Sequence, residues 1–130
     1  VSRRRESRKP KVLIIDAVPG HVTEISRHLK KHGFRPLSCL SPASALKEIR
    51  RLLPDAVIVE IIMPVVSGFE IAARMQADSR LSRIPIFFTT DIQNSTGENH
   101  DYFPRPFDKD DLVRSLRERI AGNQCRNGDE

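Results

Sequence analysis

Four short places in this chain combine residue types that can do chemistry. They are Asp16-Ala17, Glu60-Ile61, Thr90-Asp91 and Arg105-Pro106. Each stands at or just past the end of a short apolar run. Together they offer carboxylates, a hydroxyl and a guanidinium. A guanidinium is always charged and grips a carboxylate through a planar fork of N–H donors. What is missing narrows the field further. There is no Gly-rich phosphate loop and no nucleophile–base signature of a hydrolase or transferase. On these grounds no enzyme activity is expected.

Other reactive residue types are scattered. His21, His28, His32 and His100 lie in polar stretches and read as surface residues rather than metal ligands. The acids near residue 110 read as helix caps. Cys39 falls in an apolar run and Cys125 in a polar tail, with neither a disulfide framework nor a zinc spacing. They read as unpaired thiols in a reducing compartment. No metal site is expected.

The elements that position the four places alternate. Lys11–Ile15 is continuous and branched, bounded by Pro10 and Asp16, as in a buried strand. Pro19 to Lys31 predicts a helix, with Val22, Ile25 and Leu29 at helical spacing and Gly33 as its stop. Arg35–Leu40 is a weaker strand. Ser41-Pro42 predicts a second helix start, a capping hydroxyl followed by proline, with Pro54 ending the helix. Ala56–Ile61 is the strongest strand. Ser67-Gly68 opens a third helix through about Ser79, with Ala72 and Met75 inward. Ile84–Thr89 and Tyr102-Phe103 predict the last two strands. Asp108 caps a final helix whose buried face is Leu112, Val113, Leu116 and Ile120.

Strand and helix in alternation, with wholly apolar strands, predict an α/β fold. The expected sheet is five-stranded, parallel and doubly wound, covered on both faces. In such sheets the functional crevice lies at the carboxyl ends of the strands. All four places fall there. The chain of 130 residues suits one core. With 38% hydrophobic and 30% charged residues it has the balance of a globular protein, and no apolar run approaches the roughly 20 residues of a membrane helix. No secretory signal is seen, so a cytoplasmic location is expected. The chain opens on Val1 rather than methionine, as an excised piece of a longer protein would. Expected boundaries are a basic stub over residues 1–10, a domain over 11–121 and a polar tail over 122–130. Of the net charge of +5, residues 1–9 carry +4, from Arg3, Arg4, Arg5, Arg8 and Lys9 against Glu6. Such a stub reads as a flexible linker. Contact with nucleic acid through it is the alternative, although no aromatics or recognition helix accompany it.

The four places sit in motifs that resemble the response regulator receiver family. "KVLIIDAVP" resembles its first strand and acidic loop, and "PDAVIVEIIMPVVSG" its third strand, acceptor position and Met-Pro turn. "IPIFFTT" resembles the fourth strand with its switch hydroxyl, and "DYFPRPF" the fifth strand with its Lys-Pro turn. The likeness covers Lys11 to Ile120. It implies a flavodoxin-like fold, magnesium held by an acidic pair, and phosphorylation of an aspartate after the third strand. It also implies a switch pair, matched here by Thr90 and Tyr102.

The departures are specific. The acidic pair becomes Asp16 and Ala17, which removes one oxygen ligand from a cation that demands several. The acceptor position is Glu60, displaced by one methylene from where in-line transfer needs it. Its standing charge either mimics an aspartyl phosphate or is a tolerated relic. The lysine position is Arg105, and a fixed ion pair with Glu60 or Asp16 is expected in place of the metal–phosphate network. The Arg105–Pro106 bond is a candidate cis bond. Residues Asp91–His100 carry no helical period, so the helix between the fourth and fifth strands is expected to be shortened or missing. The surface this uncovers would suit a protein partner or a second copy of the chain.

The expectation is therefore a phosphorylation-independent pseudo-receiver, a protein-interaction module of signal transduction without cofactor. The alternatives are a receiver that still takes phosphate on another acid such as Asp16, a nucleic-acid binder working through the stub, and a small doubly wound enzyme.

Overall fold

The computed structural model describes residues 8–91 and 102–128, by backbone alone from residue 124. Residues 1–7 of the basic stub lie outside the described residues, as do residues 92–101, where the missing helix was expected. The described strands are β1 (Lys11–Ile15), β2 (Arg35–Cys39), β3 (Ala56–Glu60), β4 (Ile86–Thr90) and β5 (Tyr102–Pro104). The helices are α1 (Pro19–Lys31), α2 (Ala45–Leu52), α3 (Gly68–Ala77) and α4 (Lys109–Gly128), with a 3-10 turn at Pro42–Ser44.

The strands form one five-stranded sheet in the order β2-β1-β3-β4-β5, and every pair is parallel. This is the doubly wound order. Successive side chains of a strand point to opposite faces, and the two cores follow that alternation. Val12, Ile14, Ala56, Ile58, Phe87 and Phe103 pack with apolar residues of α1 and α4. Leu13, Ile15, Val57 and Val59 pack with those of α2 and α3 on the other face. Because both faces are covered, β3 is buried along its whole length. Each large apolar side chain withdrawn from water contributes about 1.5–3 kcal/mol.

Local chemistry sets the ends. Ser67 accepts a hydrogen bond from Glu70 N at 3.2 Å and caps α3. Asp108 accepts from Asp110 N at 2.8 Å and caps α4. Ser41 does not act as the capping hydroxyl that was expected. Its Oγ pairs with Ser44 Oγ at 3.3 Å, and the 3-10 turn intervenes before α2. α4 also runs on to Gly128, past the tail boundary expected at 121. Extending an existing helix adds a hydrogen bond for each residue fixed, so polar residues continue it once the buried turns have formed.

Gly68 has a positional role. A Cβ there would overlap the backbone of Glu60 and Ile61. The first turn of α3 thereby docks directly on the end of β3, and Gly68 N donates to Ile61 O at 2.8 Å. No helix among the described residues is long and apolar enough to cross a membrane.

Candidate functional site

The strand order reverses at β1, between β2 and β3, and ligands of doubly wound sheets bind at such a point outside the strand carboxyl ends. The ladder continues one residue past the strands there. Asp16 N donates to Cys39 O at 3.2 Å, Ile61 N to Thr89 O at 2.9 Å and Arg105 N to Thr90 O at 2.8 Å. These bonds hold Asp16, Glu60 and Arg105 at one end of the sheet. Both acids are buried, with side chains 3% and 6% exposed.

The Arg105 guanidinium bridges the two acids. Its Nη1 donates to Glu60 Oε1 at 2.5 Å and its Nη2 to Asp16 Oδ2 at 3.0 Å. Nη2 also lies 3.3 Å from Thr89 Oγ1, and Nη1 lies 3.6 Å from the exposed Asp91 carboxylate. The remaining carboxylate oxygens are engaged as well. Asp16 Oδ1 accepts from Val18 N at 2.9 Å. Glu60 Oε2 accepts from Ile61 N at 2.8 Å, a donor shared with Thr89 O. His21 Nδ1 reaches Asp16 Oδ2 at 2.9 Å. An ionised carboxylate only accepts, so this ring nitrogen carries the proton.

Buried charge is tolerated where it is paired and hydrogen-bonded. Here every oxygen of both acids has a donor. The arrangement stores two negative charges against one fixed positive charge.

The sequence brings Asp16, Glu60 and Arg105 to one place, and the structure joins them. Half-buried Ala17 supplies no side-chain ligand atom beside Asp16. Thr90 is fully buried at the end of β4. Tyr102 is half-buried and stacks edge-on to Phe88, ring centroids 5.1 Å apart. The Arg105–Pro106 bond is cis, and Pro106 is exposed. Two members of the site escape the sequence reading. Thr89 faces the guanidinium from the residue opposite Glu60 in the parallel register. His21, read as a surface residue, is half-buried against Asp16 because the first turn of α1 stacks over the end of β1. A histidine in the first turn after an acidic strand end was the available signal.

Comparison with known proteins agrees with this fold. The chain is 26% identical over 119 residues to Protein PilH of Pseudomonas aeruginosa, spanning 86% of this chain and 98% of that one. It is 26% identical over 115 residues to the DNA-binding dual master transcriptional regulator RpaA of Synechocystis, of which it spans 48%. In three dimensions it matches the chemotaxis response regulator CheY4 of Vibrio cholerae with a TM-score of 0.76 at 21% identity, covering 86% of this chain and 99% of that one. It matches the receiver domain of sensor histidine kinase PA1611 of Pseudomonas aeruginosa, also at 0.76, with 24% identity and coverage of 88% and 99%. The family model of the response regulator receiver domain matches residues 12–117. The chain belongs to the response regulator receiver domain family.

Proposed function

We propose that this receiver domain works without phosphorylation, as a protein-interaction module in signal transduction whose site is held in one state by Arg105. One observation carries the reading. All four carboxylate oxygens of Asp16 and Glu60 are engaged by donors of the protein itself.

The family chemistry needs a magnesium ion and a free nucleophilic carboxylate. The PA1611 receiver domain holds a magnesium ion in its active-site cleft. The residues here do not fit one. Asp16, His21 and Glu60 do bring ligand-type atoms within 4.8 Å of one another. Yet the Arg105 head group lies against Asp16 and Glu60, and the Ala17 side chain adds no oxygen. Magnesium keeps near-octahedral oxygen coordination and would have to displace a charge-assisted fork. Glu60 is no better placed as a nucleophile. Attack requires aligned approach at near-contact distance, whereas its oxygens point at Arg105 and at its own strand end.

The guanidinium supplies the positive charge that a metal and a lysine would otherwise supply, so the module needs no cofactor. Its output is contact with another protein. The test is phosphoryl transfer: incubate the chain with magnesium and a small acyl phosphate, then measure intact mass. The unmodified mass persisting through conditions that label an active receiver supports the module. A phosphoryl adduct mapped to Glu60 or Asp16 overturns it.

A further inference from the structure

A second group of ligand-type side chains lies away from the strand ends. His28 and His32 are four residues apart on α1, a spacing that puts both rings on one helix face. Their centroids are 4.5 Å apart. Asp110, from the first turn of α4, completes the group. His28 Nε2 lies 3.0 Å from Asp110 Oδ1, and His32 Nε2 lies 3.9 Å from the same oxygen. The three residues offer ligand atoms all within 4.8 Å of one another.

The orientation of the second ring also suits a cation. His32 Nδ1 lies 3.0 Å from His28 O. A carbonyl oxygen only accepts, so Nδ1 carries a hydrogen there, and Nε2 is the nitrogen turned toward Asp110. The carbonyl contact also has the form of the outer-shell bond that orients metal-binding histidines.

We propose that His28, His32 and Asp110 form a binding site for a zinc-class divalent ion. Bonds of about 2.0–2.2 Å to nitrogen and oxygen place tetrahedral ligands roughly 3.3 Å apart. The observed separations of 3.0 and 3.9 Å straddle that value. Two imidazoles and one carboxylate suit zinc, nickel or copper rather than magnesium. The side chains are 23%, 33% and 68% exposed, so an ion reaches them from solvent and water fills the fourth position. Loading displaces the proton between His28 Nε2 and Asp110. It also ties the start of α4, a few residues beyond Arg105, to α1.

The test is zinc chloride titrated into the whole chain, read by imidazole NMR and by thermal unfolding. The His28 and His32 ring resonances shift together and saturate at one equivalent, and the unfolding midpoint rises. H32Q and D110N each weaken binding by more than the roughly 10–100-fold that loss of an outer-shell partner costs. H21Q retains binding. Unmoved His28 and His32 resonances overturn the proposal. So does zinc affinity that survives in H32Q, or that is lost in H21Q instead.

Discussion

Arg105 Nη1 stands 2.5 Å from Glu60 Oε1, so the acid that ends β3 is bound by the arginine that follows β5. The same guanidinium holds Asp16 at 3.0 Å. Removing it strands two buried carboxylates, which costs more than the pair itself contributes. Arg105→Ala is expected to lose about 3–5 kcal/mol of stability in urea unfolding. Adding D16N and E60Q to that background recovers part of the loss, since the unpaired charges are then gone. A fully additive further loss would show that the cluster is not a charge network.

The proposed block on phosphoryl chemistry resides in a few side chains, so replacing them is expected to lift it. The triple variant A17D/E60D/R105K restores an acidic pair, an aspartate acceptor and a lysine on the same sheet ends. It should gain magnesium-dependent labelling by a small acyl phosphate, measured by intact mass. The variant E60D alone should not, because Arg105 still covers the carboxylate. Labelling of E60D alone would place the block at the methylene rather than at Arg105.

Val65 lies in the loop between Glu60 and α3 with φ of +74°, and is 91% exposed. Val66 N donates to Pro64 O at 2.8 Å across it, which makes a γ-turn of the rare positive-φ kind. A branched L side chain is strained there by about 1–2 kcal/mol. Glycine has no Cβ to strain, although it costs more entropy on folding. Val65→Gly should therefore stabilise the domain by up to about 1 kcal/mol, seen as a higher urea midpoint at unchanged slope. A drop in the midpoint would mean that the valine side chain holds the turn.

Cys39 is buried at the end of β2, with Sγ 3.2 Å from Ser41 O. Burial pushes its thiol above the usual range, outweighing a lowering influence of the Ser41 backbone. The thiolate is the reactive form, so in a C125S background Cys39 should react with a disulfide reagent only when the protein unfolds. The linkage has a definite sign. With the folded thiol raised above the unfolded one, its contribution to stability is complete below the unfolded value. That contribution falls as pH rises through the folded value. Reaction at neutral pH at the rate of a model thiol would contradict this.

The strands and helices were legible because their apolar residues repeat at two spacings that only buried strands and amphipathic helices share. The ends of β1 and α1 fall where Asp16, Pro19 and Gly33 set them. The Asp16–Arg105–Glu60 cluster was legible because a parallel sheet gathers the residues after its strands. Thr89 was not, because neighbouring strand residues face opposite ways and a Thr-Thr pair does not say which hydroxyl meets the arginine. The His28, His32 and Asp110 group was not legible either. Its members come together only through the packing of α1 against α4, which joins residues 82 positions apart.

The most direct measurement is the amide NMR spectrum of the labelled chain, titrated with magnesium and then with beryllofluoride, a phosphoryl mimic. A receiver closed by Arg105 keeps the signals of Asp16, Glu60, Thr90 and Tyr102 in place at millimolar concentrations of both. Shifts of those signals that move together and saturate would show that the site still reads a phosphoryl-like ligand, and would contradict a phosphorylation-independent module.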